Sequence, residues 1–416
     1  MRSVEILRKQ IDRELSFMHR GRQDAVWRAV EGLIVGGKAC LTALGRSLPG
    51  ATSEKHKIKA VDRLLGNEAL HLELNRIYKV LARWLLKSVR TPVIAVDWTG
   101  AGAHHYELSA KICSDGRALP LYSQVYAKKK YAQTDSHNAF LRELSKILPS
   151  ECKPILVTDA GFYHAWFAEV QHYGWHYIGR VRGSAHVLLG SPFAGQVLTL
   201  KELHCLAGTQ AKDFGSAIVS SGTRRLVLSP RPRRKGRKRL TRNGKPGRKT
   251  VDKTCSKGAR EPWVLVTSLQ VDAASVVYGY SLRMQIEESF RDHKSTRNGW
   301  SMRLTVTRSA ERMSVMLLIA SLADMVVQIA GRAHAVSEHA SGLQANTMRK
   351  QRVLSFFFRG CSACRKRIEL TTSQLRAAIK EITASVVDNA AHFLGELSGA
   401  FVRARSCALR RRLGAT

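Results

Sequence analysis

Apolar positions recur at three- and four-residue steps through the first part of the chain, at Val4, Leu7, Ile11, Leu15 and Met18 and again from Leu70 to Leu86. That spacing predicts helices with one buried face. Between them Ile58, Val61, Leu64 and Leu65 form a further stripe, with Lys55, Lys57, Lys59 and Arg63 largely off it and Gly66-Asn67 as the stop. Two readings of the basic face stay open: a contact to a polyanion, or an ordinary solvated surface.

The period changes at Pro92. PVIAVDW reads as a strand closing at Asp97, and HYELSAKIC and LPLYSQVYA as a hairpin around Ser114-Asp115-Gly116-Arg117. SHNAFLRELSKIL then reads as a helix, KPILVTDAG as a strand covered on both faces, FYHAWFAEVQHYG as a helix and WHYIGRVRG as a strand. Three strands, helix, strand, helix, strand is the order of a ribonuclease-H-like α/β core. Residues 184–263 lose helical period and read as a strand-rich insertion. The expected organisation is a helical domain over 1–90, the candidate to bind DNA, the core over 91–183 and 264–305 with the insertion between, and a helical region over 306–416 that could carry a dimer contact.

With 416 residues and 44% hydrophobic side chains, the chain can form two or three cores. Lys and Arg outnumber Asp and Glu by 68 to 32, a net charge of +36 that favours a polyanionic partner, nucleic acid first. The basic residues concentrate in RPRRKGRKRLTRNGKPGRK, where eleven of nineteen positions from Arg231 to Lys249 are basic and none acidic. Such a run has too few apolar groups to offset chain entropy, and reads as a loop that orders on a polyanion. No membrane partner is expected, because the apolar stretch Met313 to Ala330 is interrupted by Ser314, Ser321, Asp324 and Gln328 and reads as a buried helix. MRSVEILRKQIDRE lacks a signal-peptide core, and eight scattered cysteines suit a reducing cytoplasm. Cys361 and Cys364 form a CxxC pair without a second pair, which reads as two thiols more readily than as half a zinc site.

Asp97 and Asp159 both end apolar strands, where a carboxylate needs hydrogen bonds or a cation. YSLRMQIEESFRDHK reads as one helix. At 100° per residue Tyr280, Arg283, Glu287 and Lys294 share an arc of about 60° along the rim of a core stripe, Tyr280 and Lys294 lie about 21 Å apart along the axis, and Glu288 points about 100° away from Glu287 to the surface. An ordinary i,i+4 surface pair between Arg283 and Glu287 remains the plain alternative.

Tyr280-x2-Arg283-x3-Glu287-x6-Lys294 resembles, at every spacing, the Tyr-Arg-Glu-Lys signature of the insertion-sequence-four family of bacterial DDE transposases, and VDWTG, TDAGF and IEESF resemble the same family's motif surroundings. The resemblance implies that Asp97, Asp159 and Glu287 are catalytic and hold two Mg²⁺ ions, with Mn²⁺ able to substitute. It also implies that Tyr280, Arg283 and Lys294 grip DNA backbone, and that Trp263 stacks on a flipped base, although Trp263 as a strand-core aromatic is an equal alternative. The family's insertion would account for the 128 positions that separate Glu287 from Asp159. Arg233, Arg234, Lys235, Arg237, Lys238 and Arg239 of the basic loop, with Lys55, Lys57, Lys59 and Arg63, are the remaining expected contacts to double-stranded DNA, both element ends and target. Three hard carboxylates suit a two-ion phosphoryl transfer, and without a cation they should repel one another. Synapsis of two ends implies a homodimer on DNA. A ribonuclease-H-like nuclease or resolvase, or an inactive DNA-binding derivative, are the competing readings.

Overall fold

The structure is a computed structural model, and it describes residues 1–191, 193, 195–219, 222–232, 261–337, 340–343 and 353–394. The chain divides into two compact units, Met1–Pro154 with Arg283–Ala391 and Ile155–Leu282 with His392–Thr416. The basic-loop residues Arg233, Arg234, Lys235, Arg237, Lys238 and Arg239 lie outside the described residues.

The first unit opens with helices, as the reading of this region expects: α1 (Arg2–Ile11), α2 (Arg20–Gly36), α3 (Leu41–Arg46), α4 (Glu54–Leu65) and α5 (Glu68–Leu86). The stripe from Val4 to Met18 is not one helix, since α1 stops at Ile11, Leu15 closes a 3-10 turn and Met18 lies beyond it, and α2 and α3 had no stripe of their own in that reading. Asn67 starts α5 by accepting from the Leu70 amide. Strands β1 (Val93–Ala101), β2 (His105–Ile112) and β3 (Leu119–Ala127) form an antiparallel meander, followed by α6 (Thr134–Ile147). Contrary to the expected strand end at Asp97, β1 runs on to Ala101, because Trp98, Thr99 and Gly100 pair in register with Leu108, Glu107 and Tyr106.

Alternation gives this meander two unlike faces. Trp98, Tyr122 and Tyr126 take one, where Phe140 of α6 stacks on Tyr122 with ring centroids 5.1 Å apart and Tyr78 of α5 meets the same ring edge-on. Asp97, Thr99, Glu107, Ser109, Lys111 and Ser123 take the other, and all six are buried. Over it lie α10 (Met284–Lys294), in contact with β1, and α11 (Ala310–Ala335), in contact with β3.

Helix α11 is the axis of the unit. It is long and apolar enough to cross a membrane, yet 94% of its most apolar window is buried inside the protein, as a core helix would be. Its neighbour α12 (Phe356–Arg365) approaches so closely that a Cβ at Gly331 would stand 1.9 Å from the Phe356 carbonyl oxygen, and one at Gly360 1.8 Å from that of Val327. Only glycine permits backbones to meet at that distance. Cys361 and Cys364 both lie on α12, and burial pushes the Cys364 thiol up to about 11. Helix α13 (Thr372–Leu394) presents Leu375, Ala378, Ile382, Val386 and Ala390 as one buried stripe.

In the second unit β4 (Ile155–Thr158) and β5 (His176–Val181) are parallel, joined through α7 (His164–His172). β10 (Val264–Thr267) runs antiparallel to β5 on one side and to β9 (Gly222–Leu228) on the other. β8 (Lys212–Val219), β6 (His186–Leu189) and β7 (Val197–Thr199) extend the same antiparallel pairing outward. The insertion thus contributes strands, as expected, but also a helix that its lack of periodicity hid, α8 (Leu200–Cys205). A full capping box starts it: Thr199 Oγ1 accepts from the Glu202 amide and Glu202 accepts from the Thr199 amide. Helix α9 (Ala273–Leu282) packs against β5, β9 and β10. The order β1-β2-β3-α6-β4-α7-β5 is that of a ribonuclease-H-like core, in a mixed α/β protein with flanking helices.

Candidate active site

YSLRMQIEESFRDHK divides into α9, which ends at Leu282, and α10, which begins at Met284. Arg283 between them keeps a right-handed helical conformation, φ −53° and ψ −33°, and its carbonyl accepts from the Ile286 amide at 3.1 Å.

In the first unit the structure brings Asp97, Arg283 and Glu287 together. Arg283 Nη1 donates to Asp97 Oδ2 at 3.1 Å and to Glu287 Oε1 at 3.3 Å. The other carboxylate oxygen of Asp97 accepts from the Trp98 amide at 2.8 Å. The Asp97 and Arg283 side chains are 10% and 11% exposed and that of Glu287 is 43% exposed, so the trio opens to solvent on the glutamate side. The repulsion expected between the acids is offset here by one guanidinium nitrogen shared by two of them. This is more than an i,i+4 surface pair, since the same nitrogen reaches a buried carboxylate on another element.

Glu288 is not the exposed member of its pair. It is 28% exposed, less than Glu287, because Arg291 holds it at 2.7 Å and Arg117 at 3.6 Å while Arg117 also binds Asp292 at 2.6 Å. Lys294 is half-buried beside the Phe290 ring, and burial lowers its pKa against the opposing pull of Glu107, Glu287 and Asp97.

Glu107 was not singled out from the sequence. It is buried on the Asp97 face of β2 and accepts from Ser123 Oγ at 2.6 Å. Its signal was Glu107, Ser109 and Lys111 at alternate positions of an otherwise apolar strand. Lys111 is 1% exposed, its ammonium has no hydrogen-bond partner among the described residues, and burial lowers its pKa. The Phe290 ring lies 5.2 Å away, and Asp324, Glu107 and Asp292 supply its opposing charge.

In the second unit Asp159 directly follows β4, half-buried, and its Oδ1 accepts from the Gly161 amide at 2.7 Å. Tyr280, expected on an accessible rim, is 4% exposed. Its ring meets Trp263 edge to face, and its hydroxyl is bonded by Arg180, a residue the sequence reading also passed over, whose pKa burial lowers. Trp263 is half-buried, and Ser229 brackets it by accepting from its amide at 2.7 Å through Oγ and donating to its carbonyl at 2.8 Å through the amide. It is therefore neither a closed core residue nor a free surface one. Lys55, Lys59 and Arg63 are exposed and Lys57 half-buried on α4, and none makes an ion pair among the described residues.

As to a cation, among the described residues no group of three or more His, Cys, Asp or Glu side chains is gathered to hold one. The pair Asp97 and Glu287 does fit a cation, since a positively charged group already stands between their oxygens and carboxylates are the donors a hard divalent ion takes.

No curated protein matches the chain. Among solved structures it is similar to a piggyBac transposase synaptic complex with hairpin DNA determined by cryo-electron microscopy, at 12% identity and a TM-score of 0.40, covering 86% of this chain and 76% of that one. Residues 89–323, more than half of the chain, match the family described as transposase DDE domain, and they span Asp97, Asp159, Arg283 and Glu287. The chain belongs to the DDE-domain transposases.

Proposed function

We propose that this chain is a cut-and-paste transposase of the insertion-sequence-four type, acting in the cytoplasm on its own element. It binds the terminal inverted repeats, nicks one strand with water, and uses the new 3′-hydroxyl on the opposite strand to leave hairpin ends. The hairpins are reopened and the 3′-ends are joined to target DNA. The observation that carries the reading is the meeting of Asp97 and Glu287 around Arg283 within the matched family span.

Asp97, Glu287 and Asp159 are the residues that would hold two Mg²⁺ ions, or Mn²⁺ in their place. Bound there, such ions supply an activated oxygen nucleophile and a counter-charge for the leaving oxyanion. The chain's own contributions are a buried, hydrogen-bonded Asp97 of fixed orientation, an accessible Glu287, and cationic groups at Arg283 and Lys294 for the DNA backbone. Lys55, Lys57, Lys59 and Arg63 offer further phosphate contacts, and bringing two ends together calls for a homodimer on DNA.

The test is a cleavage and joining assay on DNA that carries the flanks of the gene. Asp97→Asn, Asp159→Asn and Glu287→Gln should each lower cleavage by about 10³-fold or more while leaving DNA binding within a few-fold. Cleavage without any joining of 3′-ends to target would favour a nuclease or resolvase instead. Binding with no cleavage under any divalent ion would favour an inactive derivative.

A further inference from the structure

Arg283 stands in two roles that one geometry cannot satisfy. As a DNA-gripping residue its guanidinium has to meet a phosphate, yet its side chain is 11% exposed and points inward. Nη1 is engaged by Asp97 and Glu287, and Nη2 faces Met284 Sδ at 3.8 Å. As the counter-ion of the two acids, it occupies the place between their oxygens that a divalent ion would need. A cation cannot enter there while another positive charge remains within hydrogen-bond distance of both carboxylates. The neighbouring Lys294 does not substitute for it, because Lys294 makes no ion pair among the described residues.

We infer that Arg283 is a built-in counter-ion that closes Asp97 and Glu287 to a divalent cation until a DNA phosphate draws the guanidinium away. DNA binding and cation binding are then coupled through this one side chain. The inference rests on the reading of Asp97 and Glu287 as acids of the site. Its chemistry is an exchange of partners in which no covalent bond changes: the guanidinium leaves two carboxylates for a phosphate diester, a strong bidentate acceptor, and the carboxylates take the divalent ion. Reciprocity requires that the cation also tighten DNA binding by the same factor.

Such a movement needs only the side chain: the backbone of Arg283 keeps a helical conformation at the N-cap of α10, and α10 keeps its own hydrogen bonds from Ile286 onward. Glu287, 43% exposed, lies on the side from which an ion and a phosphate can approach.

The experiment is a Mn²⁺ titration of the full chain, read by water-proton relaxation, without DNA and with a short mixed-sequence duplex whose own Mn²⁺ binding is subtracted. In the wild-type chain the duplex should tighten Mn²⁺ binding by about tenfold, an ordinary size for linkage between sites. Arg283→Gln should bind Mn²⁺ without DNA as tightly as the wild type does with it, and should gain nothing further from the duplex. Adding Asp97→Asn to Arg283→Gln should remove that gain. Arg283→Gln binding Mn²⁺ no tighter than wild type overturns the inference, as does a duplex that leaves wild-type affinity unchanged. Should thermal unfolding show that Arg283→Gln does not fold, the wild-type comparison decides alone. Failure of the underlying reading looks different: Mn²⁺ binding would then be indifferent to Asp97→Asn and Glu287→Gln in every state.

Discussion

Trp263 and Tyr280 meet edge to face, with ring centroids 4.9 Å apart and 65° between their planes. The pair joins a half-buried indole to a buried phenol, so part of the indole surface reaches solvent. Trp263→Ala should lose about 0.5–1.5 kcal/mol of aromatic contact in addition to the area that the half-buried ring covers. If the exposed part of the ring receives a base, the same change should slow hairpin formation while leaving the first nick nearly intact. Thermal unfolding beside a stepwise cleavage assay checks this. A loss of about 3–5 kcal/mol with every step impaired alike would place Trp263 in the core instead.

The two adjacent glutamates should separate cleanly. Glu287→Gln should remove cleavage with little change in melting temperature, since its carboxylate is partly solvated. Glu288→Gln should do the reverse, costing up to about 1 kcal/mol from its partly exposed pairs with Arg117 and Arg291 while cleavage stays within a few-fold. If Glu288→Gln is dead and Glu287→Gln cleaves normally, the assignment of the acidic residue falls.

His137 predicts a pH dependence of stability. It is buried on α6, its Nε2 accepts from Trp98 Nε1 at 2.9 Å, and burial lowers its pKa to about 4. The unfolded chain takes up this proton near pH 6.5, whereas the folded one does not until near pH 4. Stability is therefore full above the unfolded value and falls as pH drops through that window, by a total of about 3 kcal/mol. Urea midpoints at pH 7 and pH 5 should differ in the wild type, and His137→Asn should shrink the difference. An unchanged difference in the variant would assign the pH dependence elsewhere.

Deleting residues 233–249 should weaken binding to unrelated and cognate duplexes alike and flatten the salt dependence. Every phosphate that no longer meets a basic side chain lowers the slope of log affinity against log salt by about 0.9. A run of basic side chains neutralises phosphates without itself fixing a base contact. Weakening confined to the element's own ends would contradict this, and unchanged affinity would point to a role away from DNA.

Where periodicity was long and regular, spacing located the elements: α4, α5, the three strands of the meander and the buried α11 were legible, though α1 stops short of its stripe and β1 runs past its expected end. Helix α8 escaped because six residues cannot display a period, though its Thr-x-x-Glu cap was there to be read. Asp97 and Glu287 were singled out through their motifs, and the structure places both beside Arg283. The place of Arg283 was not, because a wheel drawn on one straight helix says nothing of a carboxylate on another element. The same wheel put Tyr280 on a rim, having no means to show that Trp263 packs against it. Glu107 was missed for a related reason, since a glutamate in a strand reads as solvent-facing until the opposite face is known to be aromatic.

The unbroken pairing of β1 with β2, Asp97 against Ser109 and Thr99 against Glu107, also bears on how the chain can go wrong while folding. A hairpin slipped by a single residue would turn every side chain of one strand to the opposite face. Trp98 would then be forced among Glu107, Ser109 and Lys111, and the Asp97 carboxylate would be driven against Tyr122, Tyr126 and Phe140. Such a product cannot bury either face, so the error destroys the fold before it can yield a stable but inert protein. The aromatic rings on the far side of the sheet thereby proofread the position of an acid on the opposite face.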